Sequence, residues 1–250
     1  MPRVVLLASD GDSTRIVFHA LQPQAVVLEN HLSSLALLRR RRRRYGLRKV
    51  LGQLAFRTTV VPLLSATSKG RVREILAQDS LSIAPIPESV VTHVHSVNDD
   101  ETITRLRELQ PSVVVVNGTR IISPRLLSSV AVPFINTHVG ITPLYRGVHG
   151  GYWALATGDN AHCGVTVHLV DQGIDTGSIL FQASIAPTAS DNFVTYPYLQ
   201  IAAAIPLLKQ AIQDALVGSS DRQPAPPGHS RLWTHPTLFE YMKLRTRGIR

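Results

Sequence analysis

The sequence predicts an α/β protein: a Rossmann-like open, mostly parallel twisted sheet with helices on both faces. Short apolar runs such as Val4-Val-Leu-Leu-Ala8, Val113-Val-Val-Val116 and Gly164-Val-Thr-Val-His-Leu-Val170 have the length and branching of strands buried on both faces. Polar residues without an obvious surface duty gather in residues 134–180, at or just beyond strand ends, where open α/β sheets place their ligands.

Taken in order, Val4-Val-Leu-Leu-Ala8 is the first strand, and Ser9-Asp-Gly-Asp-Ser-Thr14 turns into a helix running toward Leu21. That turn holds a single glycine, Gly11, so a dinucleotide fingerprint is absent and a nicotinamide cofactor is not supported. Free amides at a helix start suit a phosphate, which makes Ser9, Gly11, Asp12 and Ser13 candidates for holding an acceptor anion. Ala25-Val-Val-Leu28 is the second strand, residues 31–54 are a long, basic, mostly helical excursion, and residues 60–78 show no clear pattern. A short strand follows in residues 90–95. His93 and His95 share one of its faces, but no third ligand has suitable spacing, and no metal site is expected. Residues 99–109 form an amphipathic helix closed by Pro111, and Val113-Val-Val-Val116 is the next strand. Further on, a helix is expected over residues 152–157, and another over 192–216 apart from Pro197 and Pro206. Gln223-Pro-Ala-Pro-Pro-Gly228 reads as a linker, and residues 229–250 as a basic tail with Trp233, Phe239 and Tyr241.

Composition restricts the function classes. A length of 250 residues allows one sizeable core. No stretch resembles a membrane span, and the chain opens on a strand pattern instead of a signal peptide, so a cytoplasmic protein without membrane attachment is expected. Cys163 is the only cysteine, which excludes an internal disulfide and a cysteine-rich metal site. The formal charge of +9 comes largely from Arg39 to Arg44, followed by Arg48 and Lys49. This run is either an exposed basic helix end or a contact for an anionic acceptor or nucleic acid. No aromatic residue interleaves with it, which weakens a base-stacking role.

Asn136 and His138 are two apart on an extended segment and project on the same side. Asp175 lies in Asp171-Gln-Gly-Ile-Asp-Thr-Gly177, a glycine-bearing loop able to bring its carboxylate to the imidazole. The alternative is a turn cap, a satisfied core histidine and a turn residue.

The ordered series Asn136-x-His138, Pro143-Leu-Tyr-Arg-Gly147, Gly164-Val-Thr166 and Asp171-Gln-Gly-Ile-Asp-Thr-Gly177 resembles the folate-dependent formyltransferases. The family includes glycinamide ribonucleotide, methionyl-tRNA and aminosugar N-formyltransferases. The resemblance implies the formyltransferase fold, with residues 1–217 as catalytic domain and 218–250 as a linker and basic tail packing on or near it. It implies 10-formyltetrahydrofolate as formyl donor, a small-molecule amine as acceptor and no metal. Asn136 and His138 would stabilise the oxygen of a tetrahedral intermediate, and Asp175 would orient the histidine and assist proton transfer. Thr119, Arg120, Ile121 and Ile122 would line the pterin pocket, together with Val170, Asp171, Gln172, Gly173 and Ile174. Arg146 is a candidate partner for an acceptor anion. The chain departs from its relatives at Gly140, where they usually carry serine. The tail is shorter than the barrel domain of methionyl-tRNA formyltransferases, so initiator tRNA, and nucleic acid generally, is not expected. Two alternatives stay open. One is a hydrolase releasing formate, although no room is read for its amino-terminal domain; the other is a basic nucleic-acid-binding or interaction module. A sheet edge or the carboxy-terminal helices offer surfaces for a homodimer.

Overall fold

The computed structural model describes residues 2–30, 41–219 and 222–250. Its strands are β1 (Val4–Ser9), β2 (Ala25–Glu29), β3 (Val91–Val94), β4 (Val113–Asn117), β5 (Phe134–His138), β6 (Tyr145–Gly147), β7 (Gly164–Leu169), β8 (Ile179–Ser184) and β9 (Arg231–Trp233). Its helices are α1 (Asp12–Leu21), α2 (Leu47–Ala55), α3 (Val61–Thr67), α4 (Lys69–Gln78), α5 (Asp100–Leu109), α6 (Pro124–Leu127), α7 (Gly150–Ala156), α8 (Tyr196–Leu216) and α9 (Leu238–Arg245). Seven strands form one sheet in the order β3-β2-β1-β4-β5-β7-β8. The first five in that order are parallel, β7 runs antiparallel to β5, and β8 antiparallel to β7. This is the open, mostly parallel α/β sheet that the apolar runs predict.

Period-two alternation along those runs divides the core. Leu6, Ala8, Val26, Val113, Val115 and Ile135 pack with Ile16 and Val17 of α1 and Ile205 and Leu208 of α8. Their neighbours Val5, Leu7, Val27, Val114 and Val116 point the other way, onto Ile103 and Leu106 of α5 and Leu126 of α6. A third, aromatic cluster of Phe56, Tyr152, Trp153, Phe193, Tyr196 and Tyr241 sits under α2 and α9.

Two segments fold differently from their sequence reading. Residues 60–78, without a clear pattern, are helical: α2 runs through a π-helical segment, Phe56–Val60, into α3, and α4 follows. Pro206 does not end α8, which continues for 21 residues through it. An interior proline costs about 3 kcal/mol. The helix offsets this by burying Ile201, Ile205, Leu208 and Ile212, each worth about 1.5–3 kcal/mol. Of the arginine run, Arg39 and Arg40 lie outside the described residues. Residues 41–45 are helical, and Gly46, at φ 80°, turns the chain into α2.

Residues 231–235 return to the body of the protein. β9 pairs in parallel with β6. Trp233 stacks on Trp153 with ring centroids 4.7 Å apart, and the Arg231 guanidinium lies 3.9 Å from the Trp233 ring. Trp153 Nε1 donates to the Thr234 carbonyl (2.9 Å) and Gln53 Nε2 to that of His235 (2.7 Å). Thr237 begins α9 with a capping box completed by Glu240, and its side chain fills the space that Gly52 leaves open on α2. No helix among the described residues is long and apolar enough to cross a membrane.

Candidate active site

The end of β5 presents Asn136 and His138 on one face, and antiparallel pairing with β7 sets His168 opposite Asn136 and Thr166 opposite His138. His168 Nδ1 faces the Leu169 carbonyl at 2.7 Å and so carries the hydrogen, leaving Nε2 to accept from Asn136 Nδ2 at 3.1 Å. One amide hydrogen of Asn136 is thereby used for orientation and the other is left over. His138 Nε2 donates to the Tyr145 carbonyl (2.7 Å), and its Nδ1 lies 3.4 Å from Asp175 Oδ2. Asp175 stands at φ 52°, a left-handed conformation that aspartate tolerates better than most residues. Its Oδ2 accepts from the Gly147 N–H (2.9 Å), and Oδ1 is 3.8 Å from His168 Nε2.

The electrostatics follow from burial and these neighbours. Burial holds the His138 pKa below the ordinary histidine value, against the opposing pull of Asp175. Burial alone would raise the Asp175 carboxyl; His138, His168 and the Gly147 N–H outweigh it and hold that carboxyl below its usual range. Asp175 is therefore ionised at neutral pH. Close by, His149 Nε2 and His235 Nδ1 lie 3.1 Å apart. Burial, with His235 and Arg57, lowers His149 to about 3; burial, with Arg41 and Arg57, lowers His235 to about 4.

Asn136, His138 and Asp175 open on a cavity of about 480 Å³. Thr119, Arg120, Ile121 and Ile122 line one part of it, and Val170, Asp171, Gly173 and Ile174 another, while Gln172 is not among the lining residues. The Thr119 loop is fixed by Glu29, a buried carboxylate that accepts from the Arg120 N–H (2.6 Å) and pairs with Arg120 Nε (3.2 Å). Ser9, Gly11, Asp12 and Ser13 do not line the cavity. Ser9 donates to Glu29, Ser13 accepts from Asn117, and Asp12 accepts from Tyr198. Nor does Arg146, which donates to the Ile174 carbonyl (3.1 Å) and so braces the loop that carries Asp175. Among the described residues, the cations that do line the cavity are Arg41, Arg44 and Arg120. No group of three or more His, Cys, Asp or Glu able to hold a metal occurs among the described residues.

Sequence reasoning missed His168, Glu29 and the wall made by Leu232, Trp233, Thr234 and His235. A signal for His168 existed: within Gly164-Val-Thr-Val-His-Leu169 the two polar side chains, Thr166 and His168, share one strand face.

A sequence profile described as formyl transferase matches residues 49–197. A methionyl-tRNA formyltransferase from Caldanaerobacter subterraneus subsp. tengcongensis is 34% identical over 125 residues, covering 50% of this chain and 38% of that protein. A phosphoribosylglycinamide formyltransferase from Escherichia coli is 37% identical over 95 residues, covering 38% of this chain and 44% of the relative. The chain thus matches less than half the length of these curated relatives. Among solved structures, a phosphoribosylglycinamide formyltransferase from Anaplasma phagocytophilum aligns with a TM-score of 0.57 at 18% identity, over 92% of this chain and 98% of the other. A sugar N-formyltransferase from a Shewanella species gives 0.55 at 16% identity, over 97% and 86%. At such identities the likeness is one of fold.

Proposed function

Because the chain belongs to the formyl transferase family, we propose that it moves a formyl group from 10-formyltetrahydrofolate to the amine of a small, anionic acceptor. The observation that carries this reading is the meeting of Asn136, His138 and an ionised Asp175 on a single cavity.

The donor supplies an amide-like formyl carbon, whose oxygen must be polarised. Thr119, Arg120, Ile121 and Ile122 would hold its pterin from one side and Val170, Asp171, Gly173 and Ile174 from the other, with backbone groups meeting the ring edge and apolar side chains its faces. The lining suits such a ligand, setting the apolar side chains of Ile121, Ile122 and Val170 beside the polar Thr119 and Asp171.

Asn136, steadied by His168, offers its second amide hydrogen where negative charge develops on the formyl oxygen. One donor of this kind is worth about 3 kcal/mol in the transition state. His138 commits Nε2 to the Tyr145 carbonyl, so Nδ1 is the ring position that exchanges a proton with Asp175. Asp175, kept ionised, takes the proton from the incoming amine directly or through water, and the same proton is delivered to the folate nitrogen as its bond to the formyl carbon breaks, so that tetrahydrofolate leaves. Arg41 and Arg44 give an acceptor anion opposite charge at the cavity.

The test supplies purified protein with 10-formyltetrahydrofolate and a panel of amines: nucleotide-linked aminosugars, amino acids and ribonucleotide amines. Tetrahydrofolate release with at least one amine is expected, and failure both to bind the donor and to turn over any amine would refute the reading. Asp175→Asn is expected to lower kcat by about 10²–10⁴ with donor affinity nearly unchanged; near-normal turnover would remove Asp175 from the mechanism.

A further inference from the structure

We propose that the face formed by residues 41–45 and α2 docks onto an anionic lipid bilayer surface. On α2, Leu47, Leu51 and Leu54 recur at helical spacing and are 52%, 54% and 42% exposed, whereas Val50 and Gln53 are buried. Leu63 on α3 is 64% exposed. A leucine stripe left open in this way marks an interaction surface.

The adjoining charge has one sign. Arg42, Arg43, Arg44, Arg48 and Arg57 are exposed, and no Asp or Glu occurs between Glu29 and Glu74 in the sequence. A helix with leucines on one face and arginines beside it settles in the headgroup boundary, its apolar side about 5–10 Å deep. Each basic residue near an anionic surface adds about fivefold to partitioning. α2 is one of the helices too short or too polar to cross a membrane, so the association is at the surface.

Other partners fit less well. Nucleic acid would match the arginines but gain nothing from the leucines, because its phosphate contacts are polar and wet. A second copy of the chain would set arginines against arginines. Arg41, Arg44 and Tyr45 line the catalytic cavity, so docking brings the cavity to the lipid interface, where an acceptor carried on the membrane would meet it. That corollary rests on the proposed reaction; docking itself does not.

The experiment sediments the full chain with vesicles of phosphatidylcholine alone and of phosphatidylcholine mixed with phosphatidylserine. Binding to the mixed vesicles is expected. It falls about tenfold or more in Leu47→Ser/Leu51→Ser/Leu54→Ser and, separately, in Arg42→Glu/Arg43→Glu/Arg48→Glu. All six side chains are exposed, so far-ultraviolet ellipticity and melting temperature stay near those of the parent. No binding to anionic vesicles, or binding that survives the leucine substitutions, overturns the proposal. Survival accompanied by a salt-dependent shift of RNA would assign the arginines to nucleic acid instead. Because vesicle binding is read without turnover, its failure is distinguishable from failure of the formyl transfer reading.

Discussion

Replacing Glu29 by glutamine tests how the pocket proposed to take the formyl donor is held together. The Glu29 side chain is 2% exposed and its oxygens join three separate segments. Oε1 accepts from the Arg120 N–H (2.6 Å) and from Ser9 Oγ (3.2 Å); Oε2 accepts from the Val97 N–H (3.3 Å) and pairs with Arg120 Nε (3.2 Å). Glutamine keeps the shape but turns an NH₂ group toward two of those donors. Breaking a buried ion pair costs about 3–5 kcal/mol. Arg120 is 22% exposed and keeps its bonds to the Asn30 and His95 carbonyls, so solvent recovers part of that and about 2–3 kcal/mol is expected. Urea unfolding measures this loss. Since the same carboxylate fixes residues 119–122, the dissociation constant of the folate donor is expected to rise about tenfold, with kcat at saturating donor within about threefold. A stability change below about 0.5 kcal/mol, or a fall in kcat at unchanged donor affinity, would refute the assignment of Glu29 as the pocket's brace.

Three further outcomes are expected. In Gly140→Ala the new Cβ would lie 2.4 Å from the Tyr145 carbonyl oxygen and 2.8 Å from His138 Nε2. It forces that hydrogen bond apart, costing about 1–3 kcal/mol of stability and at least about tenfold in kcat, and parental melting and kinetics would contradict this. His168→Phe removes the acceptor that steadies the Asn136 amide, so kcat falls about tenfold or more while donor binding persists; equal losses in both would make His168 a packing residue only. The third concerns acid. His149 and His235, lowered to about 3 and about 4 in the folded chain, titrate near 6.5 when unfolded, so between those values the unfolded chain binds more protons. Their contribution to stability is complete above pH 6.5 and is lost as pH falls, by up to about 1.4 kcal/mol per pH unit for each histidine. Asp175, also lowered, acts in the same direction below the usual carboxylate range. Equal stability at pH 7.5 and pH 5 would count against the buried histidine pair.

The sheet was legible because each strand states its own burial. Val113-Val-Val-Val116 needs no distant information to be read as apolar on both faces, and Asn136 and His138 share a side by period two alone. What escaped reading depends on partners far along the chain. His168 becomes important only through the register that sets β7 against β5. Glu29 looks like a strand-ending charge until Arg120, Val97 and Ser9 are seen around it. Residues 231–235 read as tail because a three-residue parallel pairing has no local signature. The Ser9 to Ser13 turn, whose backbone amides suggest an anion site, lies outside the cavity, and its serine hydroxyls are engaged with Glu29 and Asn117.

The stacking of Trp233 on Trp153 has a practical side. These are the only two tryptophans in the chain, and both belong to the wall that β9 brings against α7. Indole emission therefore reports on the contact between β9 and α7. A fluorescence change that precedes the loss of ellipticity during denaturation would mark the moment at which the pocket falls open while Asn136 and His138 still sit on an intact strand.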